Sequence, residues 1–177
     1  KDNLILKDFN FEFKKGKVVG ITRASGSGKS TLTDIILGFN IPLKGNIKLG
    51  SSILSFDDRN NWFENVSFVS QNIFLFNDTI LNNITLSNKR SISNSRLKQA
   101  IDGSCLNDKF LTKNFSLNYK IGETGHKLSG GQKQRLGIAR GLYKKANIYV
   151  FDEVTSALDQ KLKFKIFKNI KKICKNN

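Results

Sequence analysis

Methionine is absent from this 177-residue chain, proline occurs once, and His126 is the only histidine. A chain that opens on Lys1 and holds no methionine reads as a segment of a longer polypeptide. The two cysteines, Cys105 and Cys174, lie far apart, with no CxxC and no histidine cluster nearby. That spacing excludes a disulfide framework and a Cys/His metal centre, and it fits two reduced, half-buried thiols of a cytosolic domain. No apolar run approaches the ~20 residues needed to cross a bilayer, and no signal peptide is visible. Any membrane part is therefore expected outside these residues.

Acidic residues are scarce as well, with 14 Asp and Glu against 30 Lys and Arg, for a formal charge of +16. Such an excess invites a nucleic-acid or anionic-membrane reading. Its make-up argues otherwise. Lys outnumbers Arg by 24 to 6, and the lysines are scattered, with only short clusters such as Lys171-Lys172. Lys, Asn, Ile and Phe are all abundant, as an AT-rich genome would encode. Charge of this kind bears on solubility rather than function, so no nucleic-acid partner is expected. The hydrophobic share of 38%, with 14 Phe, is enough for one domain with a sizeable core.

Local patterning places the elements. In residues 4–13, Phe9, Phe11 and Phe13 alternate with Asn10 and Glu12, which predicts a strand with one buried face in an antiparallel layer. Gly16 marks a turn, and Lys17–Thr22 predicts a buried strand that runs into a glycine-rich loop and a helix over Leu32–Leu37, stopped by Gly38. A further strand is expected around Asn46–Leu49, then a loop over Ser51–Asn61 and a short strand at Val66–Val69. Leu97, Ala100, Ile101 and Cys105 fall at helical spacing, and Gly131–Tyr143 follows a Ser-Gly-Gly turn as a helix. Ile148–Phe151 is wholly apolar, as a central parallel strand should be. The last stretch sets Leu162, Ile166, Ile170 and Ile173 on one face and lysines on the other, the pattern of a surface helix.

The strongest chemical signal is the strand–RASGSGKST–helix segment. Gly26 and Gly28 let the backbone wrap so that its N–H groups face phosphate oxygens, and the following helix adds its positive end. Lys29 would reach the β- and γ-phosphates, and the Ser30 hydroxyl would ligate Mg²⁺. The pattern G-x-x-x-x-G-K-[ST] asks for glycine at position 23, where this chain has Arg23. If that position is left-handed, a side chain there costs about 1–2 kcal/mol, which predicts weakened rather than abolished nucleotide binding. Downstream, Ile148–Phe151 delivers Asp152 and Glu153 at its carboxyl end, where open α/β sheets bind ligands. Asp152 suits the Mg²⁺ shell, and Glu153 suits polarisation of an attacking water.

Between these segments lies LSGGQKQR, Leu128–Arg135, which resembles the signature sequence of the ABC ATPase family at every position. Together with the phosphate loop, the Asp-Glu strand and the SALD of Ser156–Asp159, the motifs stand in that family's order, and the resemblance covers essentially the whole chain. It implies an α/β fold, a P-loop NTPase of the ABC ATPase type. Its mostly parallel core sheet would carry an antiparallel β layer and a helical subdomain at about 74–140, in a single domain over 1–177 that is incomplete at both ends. The cofactors implied are ATP and Mg²⁺. Ala24, Ser25, Gly26, Ser27, Gly28, Lys29, Ser30 and Thr31 would cradle the phosphates, and Ser30, Gln71 and Asp152 would serve the metal. Ser129, Gly130, Gly131 and Gln132 would contact the γ-phosphate of ATP bound to the opposite subunit of a head-to-tail dimer. Glu153, Gln71 and Asp159 would form the catalytic set, with Gln71 in the glutamine loop and Asp159 linking the two sites.

Ser67–Leu86 and Ile121–Gly131 resemble the exporter branch in particular, with Glu123 at the position of its X-loop acid. Ser70 stands where the family usually has proline. His126 does not match the switch histidine and reads as a structural or solvent-facing residue. The adenine-stacking aromatic and the switch histidine are expected before Lys1 and after Asn177. The resemblance implies ATP hydrolysis that powers export of a lipid, lipid-linked glycan or peptide. The chain would sit at the cytoplasmic face of a membrane, with a transmembrane domain fused upstream. A degenerate, non-hydrolysing cassette is the alternative that Arg23 motivates. A DNA-repair ATPase of the same signature would need a long coiled coil between Gln71 and Ser129, where the chain has a compact segment without heptads.

Overall fold

The structure, a computed structural model, describes residues 4–22, 28–54, 59–86, 92–107 and 116–176, with side chains through Ile173. Helix α1, Lys29–Ile36, is followed by a two-stranded antiparallel hairpin, β1 Lys48–Leu49 and β2 Ser52–Ile53. Helix α2, Arg59–Asn65, leads into β3, Val66–Val69. Helices α3, Ile80–Thr85, and α4, Asn94–Gly103, and a 3₁₀ turn, Glu123–Gly125, precede the long α5, Gly130–Tyr143. Strand β4, Ile148–Phe151, and helix α6, Gln160–Asn176, complete the order.

The two strands that matter for the site are β3 and β4. They run parallel, in the register Val66↔Ile148 through Val69↔Phe151. Val66, Ser67 and Val69 are buried, whereas β4 is half-buried rather than enclosed. Helix α5 lies against this pair closely enough that added methyls would collide. A Cβ on Gly141 would stand 2.4 Å from Val69 Cγ2, and one on Gly137 would stand 2.3 Å from Ile73 Cδ1. The Ser67 hydroxyl donates to the Gly141 carbonyl across the same contact, at 2.8 Å.

The main core gathers Leu75, Ile80 and Ile84 with Leu136 and Ile138 of α5 and the inner face of α4. Leu97, Ala100, Ile101 and Cys105 are all buried, as their spacing predicts, although Cys105 lies just past the helix at φ 56°. Ile166, Ile170 and Ile173 close that core from α6, with Leu162 partly buried beside them. A smaller cluster joins Leu37, Trp62 and Val66. Trp62 Nε1 donates to the Ile36 carbonyl at 3.0 Å, and Gly38, at φ 77°, ends α1 where a Cβ would meet the indole.

Two expectations fail in the first 22 residues. Neither 4–13 nor 17–22 forms a strand, and Phe9, Phe11 and Phe13 are 50%, 56% and 47% exposed. The turn between the runs is present, with Lys17 N–H donating to the Lys14 carbonyl at 3.1 Å and Gly16 at φ 70°. What is missing is a ladder. A period of two says which side chains share a face, but a strand exists only through hydrogen bonds to a neighbour. The apolar side chains meet one another instead, with the Phe11 and Phe13 rings edge to face at 4.8 Å. Residues 51–61 also differ from the expected loop, since they contain β2 and the start of α2.

Helix α3 shows how local chemistry fixes the chain near the site. Thr79 Oγ1 caps it by accepting from Asn82 N–H at 3.1 Å. Asp78 Oδ1 accepts from Thr79 N–H at 2.6 Å and from Asn82 Nδ2 at 2.9 Å. The backbone bond first, then the Asn82 bond, holds the Asp78 carboxyl below its ordinary range. A depressed carboxylate stabilises the fold above its unfolded pKa, and the contribution is lost as pH falls through the folded pKa. Asp78→Asn should therefore flatten the drop in melting temperature below about pH 4. Identical slopes for variant and parent in a pH series of thermal melts would show that this turn carries no acid sensitivity.

Candidate functional site

The site lies where β3 and β4 end side by side. Asp152 N–H extends the ladder by donating to the Val69 carbonyl at 2.9 Å, so the chains leave the sheet in register. Two residues beyond β3, Gln71 Nε2 donates to Glu153 Oε2 at 3.2 Å. The two residues are 82 positions apart in the chain, and both side chains are exposed. Glu153 takes a left-handed backbone, φ 47°, that favours glycine. A non-glycine residue held there carries about 1–2 kcal/mol of strain. Asp152 is exposed beside it.

Of the predicted phosphate loop, Arg23, Ala24, Ser25, Gly26 and Ser27 lie outside the described residues. Gly28 is described, at φ 87°, as the residue before α1. A Cβ there would stand 2.7 Å from Ile5 Cγ2. Lys29, Ser30 and Thr31 make the first turn of α1, whose positive dipole end favours an anion. No acid stands in that turn to oppose one.

Ser129 sits at the start of α5 and forms a reciprocal capping box with Gln132. The Ser129 N–H donates to Gln132 Oε1 at 2.7 Å, and Gln132 N–H donates to Ser129 Oγ at 3.3 Å. The box holds the serine and the Gly130 and Gly131 amides in place at an exposed helix start. Gly131 is glycine for a steric reason, since a Cβ would come within 3.2 Å of the Ala157 carbonyl and of Leu158. Asp159 caps α6, its Oδ1 accepting from Leu162 N–H at 2.9 Å. Among the described residues, no hydrogen bond joins Ser129, Gln132 or Asp159 directly to the Gln71–Glu153 pair. His126 is exposed, with its ring against Gly122.

The oxygens available suit a hard cation. Gln71 engages Glu153 through Nε2, which leaves its Oε1 outside that bond, and Ser30 and Asp152 each carry oxygens of the same hard kind. Mg²⁺ favours such sparse oxygen ligation completed by phosphate and water. Among the described residues, no group of three or more His, Cys, Asp or Glu is gathered as a metal cage.

Polar residues of α5 and α3 that spacing does not single out complete the surroundings. Gln134, nearly buried, donates through Nε2 to Ser156 Oγ at 2.8 Å and accepts from Ala157 N–H at 3.0 Å. Arg140 donates to the Phe74 carbonyl at 2.6 Å and to the Asn83 carbonyl at 2.7 Å. Burial pushes the Arg140 guanidinium down from its ordinary pKa, although arginine stays charged. The signal for Arg140 was a lone cation within the apolar run LGIARGLY, which needs buried partners.

A parallel strand pair releasing Asp-Glu, a glycine-capped helix with Lys and Ser in its first turn, and a second anion-ready helix start define a P-loop NTPase. The ABC transporter family model matches residues 6–156, and the chain belongs to that family. It is 40% identical over 176 residues to the ATP-dependent lipid A-core flippase of Wigglesworthia glossinidia brevipalpis, covering 99% of this chain and 30% of that protein. It is 40% identical over 172 residues to the Alpha-hemolysin translocation ATP-binding protein HlyB of Escherichia coli, covering 97% of this chain and 24% of that one. Among solved structures, a bacterial Atm1-family ABC exporter with ATP bound matches at TM-score 0.75 and 33% identity, over 84% of this chain and 26% of the other. The chain thus spans between 24% and 30% of the lengths of these relatives. Among the described residues, no helix is long and apolar enough to cross a membrane.

Proposed function

We propose that this chain is the ATP-hydrolysing cassette of an export-type ABC transporter, one domain over 1–177 with a helical subdomain at about 74–140. The observation that carries the reading is the Gln71–Glu153 contact at the shared end of β3 and β4. It sets an acceptor for a water proton beside an amide that can orient that water. Lys29, the Ala24–Thr31 amides and the α1 dipole would hold the triphosphate, and Glu153 would take the proton of the attacking water. Ser30, Gln71 and Asp152 would hold Mg²⁺, which would supply charge neutralisation to the phosphates. Ser129 with Gly130, Gly131 and Gln132 would meet the γ-phosphate of a second subunit in a head-to-tail pair, with Asp159 near the junction.

The membrane domain that such a cassette drives would contact the segment after Gln71. Phe74 and Phe76 are 64% and 50% exposed there, edge to face at 5.1 Å. Relatives named for lipid A-core flipping and haemolysin translocation support a lipid, lipid-linked glycan or peptide cargo at the cytoplasmic face of a membrane.

A second reading, a degenerate cassette, is favoured by Arg23 in the phosphate loop. Calorimetric titration of MgATP separates the two. Lys29→Ala should weaken affinity about 10–100-fold, the worth of the charge-assisted bonds it removes. Arg23→Gly should raise affinity only modestly if the loop already works. Absence of measurable MgATP binding in the parent, restored by Arg23→Gly, would favour the degenerate cassette.

A further inference from the structure

Gln71 and Glu153 meet in the open, each two residues past the paired strands, where the ladder has ended at Asp152 N–H and support from behind can set their alignment. We propose that α5 imposes it as a two-point clamp, with Gln134 and Arg140 as positioning residues for the hydrolytic pair. The inference rests on the ATPase reading above.

The first point is the turn that Glu153 begins. Ser156 N–H donates to the Glu153 carbonyl at 3.2 Å, closing that turn. Gln134 takes hold of its far side at both Ser156 Oγ and Ala157 N–H. A single amide thus engages the two residues that immediately follow Thr155. Gly131 lets the helix start settle on Ala157 and Leu158, so any shift of α5 is transmitted to the chain that bears the carboxylate.

The second point lies six residues on, about 9 Å along the helix. Arg140 Nη1 takes the Phe74 carbonyl, while Nε and Nη2 take the carbonyl and Oδ1 of Asn83 at 2.7 and 3.0 Å. Asn83 in turn accepts from Phe76 N–H at 2.9 Å and donates to the Phe76 carbonyl at 3.1 Å. Residues 74–76 are therefore strapped at both ends, three residues after Gln71. Between the two points Gly137 presses on Ile73, which sets the height of the strap along the helix. Because the same helix opens with Ser129, the hydrolytic pair and the signature share one rigid support.

A guanidinium fork fixes three acceptors in one plane, and the single ammonium of lysine cannot. In the full-length transporter, Arg140→Lys should lower the kcat for ATP about 10–100-fold, as expected for a misplaced catalytic group, with KM for MgATP within about twofold. Gln134→Leu should behave alike. Gln134→Glu should keep most turnover, because the Ser156 hydroxyl can rotate to donate.

A double-mutant cycle with Gln71→Ala tests the role of Arg140. If Arg140 acts through the glutamine loop, Arg140→Lys will add little to the kcat loss already produced by Gln71→Ala. Fully additive losses, or a KM rise at unchanged kcat, would overturn the clamp. Should Arg140→Lys fail to fold, Gln134→Leu decides alone: lost kcat at parental melting temperature with rescue by Gln134→Glu supports the clamp, and unchanged kcat overturns it. A parent that binds MgATP but never hydrolyses it removes the underlying ATPase reading, and the clamp with it. Hydrolysis with additive losses removes the clamp only.

Discussion

Glu153→Gln is expected to slow ATP turnover by about 10²–10⁴-fold, the usual contribution of a positioned general base, while MgATP affinity changes little. Glutamine keeps the shape and an oxygen able to accept from Gln71 Nε2, now at 3.2 Å from a carboxylate oxygen. It removes only the capacity to take a proton. Phosphoryl transfer otherwise depends on positioning and charge neutralisation, which the variant retains. Single-turnover assays beside equilibrium titration would separate the two effects. Parental turnover in the variant would show that Glu153 does not activate the water.

The second large effect is structural. Asn83 is fully buried and its side chain makes four hydrogen bonds, with Phe76 N–H, the Phe76 and Thr79 carbonyls, and Arg140 Nη2. Asn83→Ala would strand several of these groups away from water, at about 1–3 kcal/mol for each unsatisfied one. A total near 3 kcal/mol is expected, against about 5–15 kcal/mol for a whole domain. Asn83→Asp should also destabilise, because Oδ2 would face the Phe76 and Thr79 carbonyl oxygens that Nδ2 now donates to, although both bonds to Oδ1 survive opposite Arg140. Urea denaturation would read the difference as a lower midpoint at constant slope. Equal midpoints for Asn83→Ala and the parent would mean that the network adjusts around the gap.

Local signals carried α1, α4, α5 and α6 and the strands β3 and β4, whereas α2 begins in an expected loop and α3 had no such signal. Ser129 followed by two glycines marks the start of α5, and its capping box with Gln132 needs only a spacing of three. Val66–Val69 and Ile148–Phe151 are short apolar runs whose ends coincide with β3 and β4. The Phe9–Phe13 alternation misled because a pattern cannot say whether a neighbour is there to pair with. The meeting of Gln71 with Glu153 was legible only through the order of motifs, since no local spacing relates residues 82 apart. Asn83 and Gln134 were not legible at all. A lone amide in a polar stretch looks solvated, and its burial depends on where other helices fall. Arg140 was half legible, as a cation in an apolar helix whose partners lay elsewhere.

The left-handed backbone at Glu153 sets protein quality against activity at a single codon. Glycine, and to a lesser degree asparagine, would relax that conformation. A library of this protein screened for yield or heat resistance alone should therefore enrich Glu153→Gly and Glu153→Asn. The winners would be better behaved on the bench and slow to hydrolyse ATP, so any stabilisation campaign must hold this position fixed or score turnover alongside melting.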